Sequence, residues 1–380
     1  MLVSGCPSTH SHSASDLPPV LMPSRANSWL LRCRTAWIVR IIIGMLFTLL
    51  SVAAYSADST LPKVIDDLAV SPDGRTFAVA TEVRGGPYAV YLLSPDDGQA
   101  VSTIRGKEKL ATGASSVAFT PDSKTLLIAD GGIRRLALPS LAPIPPPTDP
   151  TDRLLDVSSV AVSTDGKYMT ACLSYRFMAW DLATEKVIYD NGPDNPSHET
   201  GHLPCTVSPD GQLIMVFDSF HHYVCWQTKP SCSSIPGEID SFVFRPDGKG
   251  AAWLKYAPVD SPNKLVIGTV DTRRIVRSMA ARAPAGSEDY RHLAYSPDSK
   301  LLALGGEGIA ILEPEKGQIQ KLFYSAEFPI VDFLQFTPDG KRIVFAMKSA
   351  KDWYDSQIGL WDLAAKKLVW TVALPALPKN

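Results

Sequence analysis

The chain has almost no charge of one sign to spare: 37 Lys and Arg against 39 Asp and Glu leave a formal net charge of −2 over 380 residues. Binding a phosphate backbone requires a basic excess gathered on one face. None is visible, so nucleic acid is excluded as the main partner. Long apolar runs are scarce too. The run from Ile41 to Leu50, continued by small residues to Ala54, reaches roughly 14 residues, short of the ~20 that a membrane-spanning helix needs. Neither a Gly-rich phosphate loop nor a G-x-S-x-G nucleophile turn occurs. Nucleotide chemistry and serine hydrolysis therefore lack their usual residues. Cysteine is sparse, with six in all.

What is present is a globular composition, 45% hydrophobic and 20% charged, which supports a sizeable core. Residues 1–57 stand apart. Arg25, Arg32, Arg34 and Arg40 precede the apolar run, and Ser51, Ala53, Ala54, Ser56 and Ala57 follow it. A positive segment, a short apolar segment and a small-residue exit make the layout of a secretory signal peptide, with cleavage fitting after Ala54 or Ser56. The competing reading is an uncleaved N-terminal anchor, lengthened through Thr35 to Val39. Both readings make the protein exported, periplasmic or secreted, with membrane contact only through an uncleaved segment. Export permits disulfides. Cys6 and Cys33 belong to the leader, leaving Cys172, Cys205, Cys225 and Cys232 with three possible pairings. Cys225 and Cys232 flank Gln227-Thr228-Lys229-Pro230, which reads as a hairpin turn, so a bridge between neighbouring strands is one expectation. Four buried thiols are the other.

The chain is organised by a repeat. An apolar run, a tight turn and a second apolar run, as in Phe336-Thr337-Pro338-Asp339-Gly340-Lys341-Arg342-Ile343-Val344-Phe345, are written seven times. The turn Asp falls at Asp73, Asp122, Asp165, Asp210, Asp247, Asp298 and Asp339, at spacings of 49, 43, 45, 37, 51 and 41. Proline presets φ at the first corner, Asp bonds back to nearby amides, and Gly accepts the positive φ that follows. This is turn chemistry, not catalysis. Periods of ~40–50 residues suit a four-stranded blade. Four and two residues before the Pro position stand large apolar residues such as Leu68 and Val70 or Leu334 and Phe336, with small ones such as Ala69 between them. Large residues on one face and small ones on the other suit sheets covered on both faces that taper inward. The expected fold is therefore all-β: a seven-bladed β-propeller of four-stranded antiparallel blades spanning 58–380 after the leader. The blades fall near 62–106, 112–148, 154–191, 201–236, 238–280, 289–323 and 330–375.

Trp180-Asp181 and Trp361-Asp362, near the ends of two third strands, together with the Pro-Asp-Gly hairpins, resemble the WD-repeat and quinoprotein amine dehydrogenase-like β-propeller superfamily. The resemblance covers about residues 62–375 and implies a fold, not an activity. The Gly-His pair usual in eukaryotic WD repeats is missing. The first blade starts at its inner strand and the last ends at its outer one, so ring closure is expected to rest on packing between blades 1 and 7.

Propeller topology puts the Pro-Asp-Gly turns on one face and the longer connections, such as 139–156, 190–202 and 348–357, on the other. Scaffolded loops of uneven length are where binding residues gather. Six residues before the Pro position stand Asp66, Ser115, Ser158, Leu203, Asp240, Arg291 and Asp332. Read functionally, Asp66, Asp240, Arg291 and Asp332 ring the channel mouth and hold a polar or cationic ligand. Read structurally, they satisfy local amides. Trp353 and Tyr354, between Asp352 and Asp355, either anchor a partner, as exposed aromatics do, or fold back over the blade.

His198-Glu199-Thr200-Gly201-His202 matches the zinc-peptidase signature H-E-x-x-H, whose chemistry needs both His on one helical face. Asn191-Gly192-Pro193 before it, Gly201 within it and Pro204 after it preclude a useful helix. A weaker arrangement gathers His198, His202, His221 and His222 around a metal. The sequence calls for no cofactor. It favours a non-enzymatic scaffold that binds a ligand, another protein or an envelope component. The alternative is a propeller enzyme, lactonase-like with a metal or quinoprotein dehydrogenase-like, with its site at the channel mouth.

Overall fold

The computed structural model describes residues 63–83, 88–106, 116–147, 157–173, 176–190, 206–217, 222–226, 231–235, 239–255, 264–269, 275–280, 290–352 and 355–375. The leader, His198, His202, His221, Trp353 and Tyr354 lie outside these residues, as do most of the longer connections. Of His222, Cys225, Cys232 and Asp240 only the backbone is described.

Among the described residues, twenty-eight strands form seven four-stranded antiparallel sheets, each taken in chain order. The first sheet is β1 to β4 (Lys63–Val70, Phe77–Val83, Ala89–Leu93, Ala100–Arg105), and the second β5 to β8 (Ser116–Phe119, Thr125–Ala129, Ile133–Ala137, Ala142–Ile144). The third is β9 to β12 (Val157–Val162, Tyr168–Leu173, Arg176–Asp181, Lys186–Asp190), and the fourth β13 to β16 (Thr206–Val207, Leu213–Phe217, His222–Trp226, Ser231–Ile235). The fifth is β17 to β20 (Ile239–Phe244, Ala251–Lys255, Lys264–Gly268, Ile275–Ala280), and the sixth β21 to β24 (His292–Tyr295, Leu302–Gly306, Gly308–Leu312, Ile319–Phe323). The seventh is β25 to β28 (Ile330–Phe336, Arg342–Lys348, Ser356–Asp362, Lys367–Ala373). The first strands β1, β5, β9, β13, β17, β21 and β25 are neighbours in that order, and β25 lies beside β1, so the ring is closed. The fold is a β-propeller.

Burial follows position in the blade. The second and third strands are almost continuously buried, as in β3 and β22, whereas β28 alternates half-buried side chains with exposed ones. A strand covered on both faces cannot alternate. Core clusters accordingly span pairs of sheets. Ala69, Ala78 and Ala80 of the first sheet, for example, receive Val117, Phe119 and Leu126 of the second.

The Pro-Asp-Gly turns share one bonding scheme. Asp73 Oδ1 accepts from the Ser71 hydroxyl at 2.7 Å and the Arg75 amide at 3.0 Å, while Ser71 Oγ accepts the Thr76 amide at 2.9 Å. The hydroxyl is supplied by Thr120, Ser163, Ser208, Ser296 and Thr337 in other copies. In the fifth copy Arg245 takes its place and pairs with Asp247 at 2.8 Å. The turns also touch one another. The Asp73 amide donates to Ser123 Oγ at 3.0 Å, Asp165 to the Pro209 carbonyl at 3.3 Å, and Asp247 to Ser299 Oγ at 3.1 Å. A β-carbon on Gly74 would lie 3.6 Å from the Pro338 ring, and one on Gly166 3.5 Å from Pro121.

Closure joins the first and last sheets by packing and hydrogen bonds, without a shared blade. Trp370 of β28 donates its indole N–H to the Pro95 carbonyl at 3.0 Å and packs on Phe77, and the Tyr91 hydroxyl donates to the Pro375 carbonyl at 2.9 Å. Both tryptophans of the Trp-Asp pairs are core residues, at 0% exposure for Trp180 and 8% for Trp361. The aspartates hold the next turn, Asp181 accepting from the Thr184 amide and Asp362 from the Ala365 amide. Among the described residues the Trp361 indole N–H has no hydrogen-bond partner.

Candidate functional site

The seven first strands enclose an axial cavity of about 450 Å3. Each is an inner edge, with half of its amides unpaired by its own sheet. Buried edge amides must find acceptors. They find them on the preceding blade. Asp67 Oδ2 of β1 accepts the Val117 amide of β5 at 2.9 Å, Ser116 of β5 accepts the Val160 amide of β9 at 3.4 Å, and Gln335 of β25 accepts the Val70 amide of β1 at 3.0 Å.

The polar residues on the cavity wall stand mainly five before the turn Pro position: Asp67, Ser116, Ser159, Ser241 and His292, with Phe333 at that position in the seventh blade. This is one residue later than the ring expected at Asp66, Asp240, Arg291 and Asp332. The cause is a β-bulge. Register shifts between Ile65 and Asp67, between Ile239 and Ser241 and between Val331 and Phe333 leave Asp66, Asp240 and Asp332 as extra, unopposed residues. Alternation breaks there, so counting by twos from the apolar residues assigns the wrong face.

The side chains of Asp66, Arg291 and Asp332 are not part of the cavity wall. Asp66 is half-buried and already bonded. Arg291 is exposed, its amide donating to the Gly305 carbonyl at 2.8 Å. Asp332 pairs with Lys348 of β26, their side chains only 15% and 11% exposed. A carboxylate neutralised in this way is a poor ligand for a second cation. Asp240 keeps its backbone place on the bulge of β17.

Two half-buried ionisable groups face the cavity, Asp67 and His292, both set among low-dielectric surroundings. Burial pushes the Asp67 carboxyl up to about 6, against the lowering effect of the Val117 and Leu68 amides and the Ser116 hydroxyl. Burial pushes the His292 imidazole down to about 4; Asp332 opposes this, and Lys348 and Arg291 add to it. His292 is therefore neutral near pH 7, its ring 5.2 Å from that of Phe333. Among the described residues no three His, Cys, Asp or Glu side chains gather as metal ligands would.

In the seventh blade the Ser349 amide donates to the Asp355 carbonyl and the Asp355 amide to the Asp352 carbonyl, both at 2.9 Å. Cys225 of β15 stands directly opposite Cys232 of β16 in the antiparallel register, and Cys172 is free and buried.

No protein-family model and no curated protein sequence matches the chain. Solved structures do. The chain is similar to a structure named Kuenenia stuttgartiensis hydrazine synthase, with a TM-score of 0.57 and 14% identity over 83% of this chain and 97% of that one. It is also similar to a structure of U3-55K, with a TM-score of 0.57 and 14% identity over 76% and 89%. The likeness is one of fold.

Sequence reasoning missed Asp67 and His292, although both stand in the repeat alignment. The signal was present at Asp67: a carboxylate at a position occupied by Ser116, Ser159 and Ser241 in other copies.

Proposed function

We propose that the protein is an exported, non-enzymatic binding scaffold that receives another protein or an envelope component on the face opposite the Pro-Asp-Gly turns. The carrying observation is the difference between the two ends of the ring. At the turn end the polar groups are consumed by bonds within and between turns. The other end is built from connections of unequal length that share no motif, the kind of surface on which binding residues collect. By sequence, Trp353 and Tyr354 fall in one of these connections, and aromatic anchors supply a large share of interface energy. The similarity to the hydrazine synthase chain and to U3-55K supports the platform and carries neither protein's role to this chain.

The test is in-envelope cross-linking with the wild type, a Trp353→Ala/Tyr354→Ala variant and a turn-face control, Asp298→Asn. A partner recovered by wild type and control but lost with the double variant supports the reading. No partner, or equal recovery by all three, overturns it. Export is tested by N-terminal sequencing after fractionation: a periplasmic or secreted chain beginning after Ala54 or Ser56, or one held at the membrane with the leader intact, is expected. A full-length chain in the cytosol contradicts it.

A further inference from the structure

The axial cavity contains chemistry that a partner on the loop face does not use. Asp67 lies on its wall. A carboxylate offers about four acceptor positions. The Leu68 and Val117 amides and the Ser116 hydroxyl occupy three of Asp67's. One acceptor position therefore remains. Among the described residues Asp67 makes no ion pair, and no Lys or Arg lines the cavity. A carboxylate held inside a protein without a compensating cation is costly.

The cavity narrows what could compensate it. An anion would meet Asp67 and no basic side chain. A calcium-like ion takes 6–8 oxygen ligands, carboxylates prominent among them, whereas this wall offers one carboxylate, and of its other side-chain oxygens those of Ser116, Ser159 and Gln335 are already bonded. Much of the remaining wall is hydrocarbon, including Leu68, Val117 and Phe333. A volume of about 450 Å3 lies within the ~300–1,000 Å3 range of small-molecule pockets. Such a wall suits a short alkyl body, and aromatic faces attract cations. We infer that the axial cavity binds a small monovalent organic ammonium ion, with Asp67 as its counter-ion and hydrogen-bond acceptor. This site goes beyond the loop-face reading and stands or falls independently of it.

Propylammonium chloride is a suitable probe, with propan-1-ol as the same body without the charge and KCl as the inorganic cation. Calorimetric titration of the folded protein at pH 7.5 should show saturable binding by propylammonium that neither control displaces. Asp67→Asn should weaken it at least about tenfold, with the circular dichroism spectrum unchanged. A second arm needs no variant. Between pH 7.5 and 5 the wild-type affinity should fall about tenfold as Asp67 takes up a proton near 6. The other ionisable group on the wall, His292, stays neutral over that range; Lys63, Asp66 and Glu82 complete the ionisable residues of β1 and β2, β5 has none, and the strands of the last blade that pack on β1 carry Asp332, Arg342, Lys348 and Asp362. Absence of saturable propylammonium binding overturns the inference, as do equal binding of propan-1-ol, displacement by KCl, undiminished binding to Asp67→Asn in a folded variant, and affinity independent of pH over this range.

Discussion

Gln335 of β25 accepts the amide of Val70 in β1 at 3.0 Å, a bond between residues 265 apart that fastens the last blade to the first. Trp370, docked on Phe77 and the Pro95 carbonyl, fastens the same seam further out. A ring without a shared blade relies on such contacts.

Gln335→Ala should therefore destabilise by about 1–3 kcal/mol, because it strands a buried edge amide. Trp370→Phe, which removes one hydrogen bond and little packing, should cost about 1 kcal/mol. Urea unfolding reads both as a lower midpoint. An unchanged midpoint for Gln335→Ala would mean that the ring closes by other contacts.

The turn hydroxyls should contribute separately. Ser296→Ala and Thr337→Val each remove the side chain that locks the turn Asp, at about 0.5–1.5 kcal/mol apiece. Arg245→Ser is expected to be nearly neutral, since it restores the residue used in other copies and exchanges an exposed ion pair for the common bond. A large loss there would show that the Arg245–Asp247 pair does more than substitute for a hydroxyl.

Glycine at the seam differs from glycine in a turn. Gly98 and Gly248 have similar φ, +72° and +70°, so alanine at either meets the left-handed penalty of about 1–2 kcal/mol. A β-carbon on Gly98 would also lie 2.8 Å from the Trp370 ring, whereas Gly248 has nothing within 4 Å. Gly98→Ala should thus lower thermal stability more than Gly248→Ala; equal losses would remove the packing argument.

Asp67 and His292 oppose each other in pH dependence. Asp67 ionises near 6 in the fold against an ordinary 3.8, so the folded state holds the proton more tightly and stability rises as pH falls from about 6 toward 3.8. His292 ionises near 4 against an ordinary 6.5, so stability falls as pH drops from 6.5 toward 4. In the wild type the two slopes largely cancel. Asp67→Asn should expose the loss on acidification and His292→Gln the gain, both read as melting temperature across pH 7 to 4. Identical slopes in the two variants would show that these groups do not govern the response.

The opposed register of Cys225 and Cys232 makes a cross-strand disulfide the expected oxidised form. Alkylation of the unfolded, unreduced protein should leave both residues unlabelled and should label them after reduction. Four free thiols among Cys172, Cys205, Cys225 and Cys232 would contradict it.

The repeat was legible because turn chemistry is local. Pro, Asp and Gly act on the residues beside them, and the alternation in Leu68-Ala69-Val70 reports two covered faces without reference to any partner strand. The Ser or Thr hydroxyl before the Pro position, present in six of the seven copies, is equally local. The cavity was harder to see. Asp66 and Asp67 are adjacent carboxylates, and only the bulge decides that Asp67 lines the cavity and caps the amide of Val117. Likewise, nothing near Asp332 in the sequence announces Lys348, which neutralises it from the next strand.

By itself, then, the sequence determined the strands, their turns and their repetition, since those depend on backbone preferences and side-chain period over a few residues. The tertiary structure alone decided which carboxylate is free to act. That depends on where a bulge breaks alternation, which blade supplies the unpaired amides, and which cation lies within bonding distance.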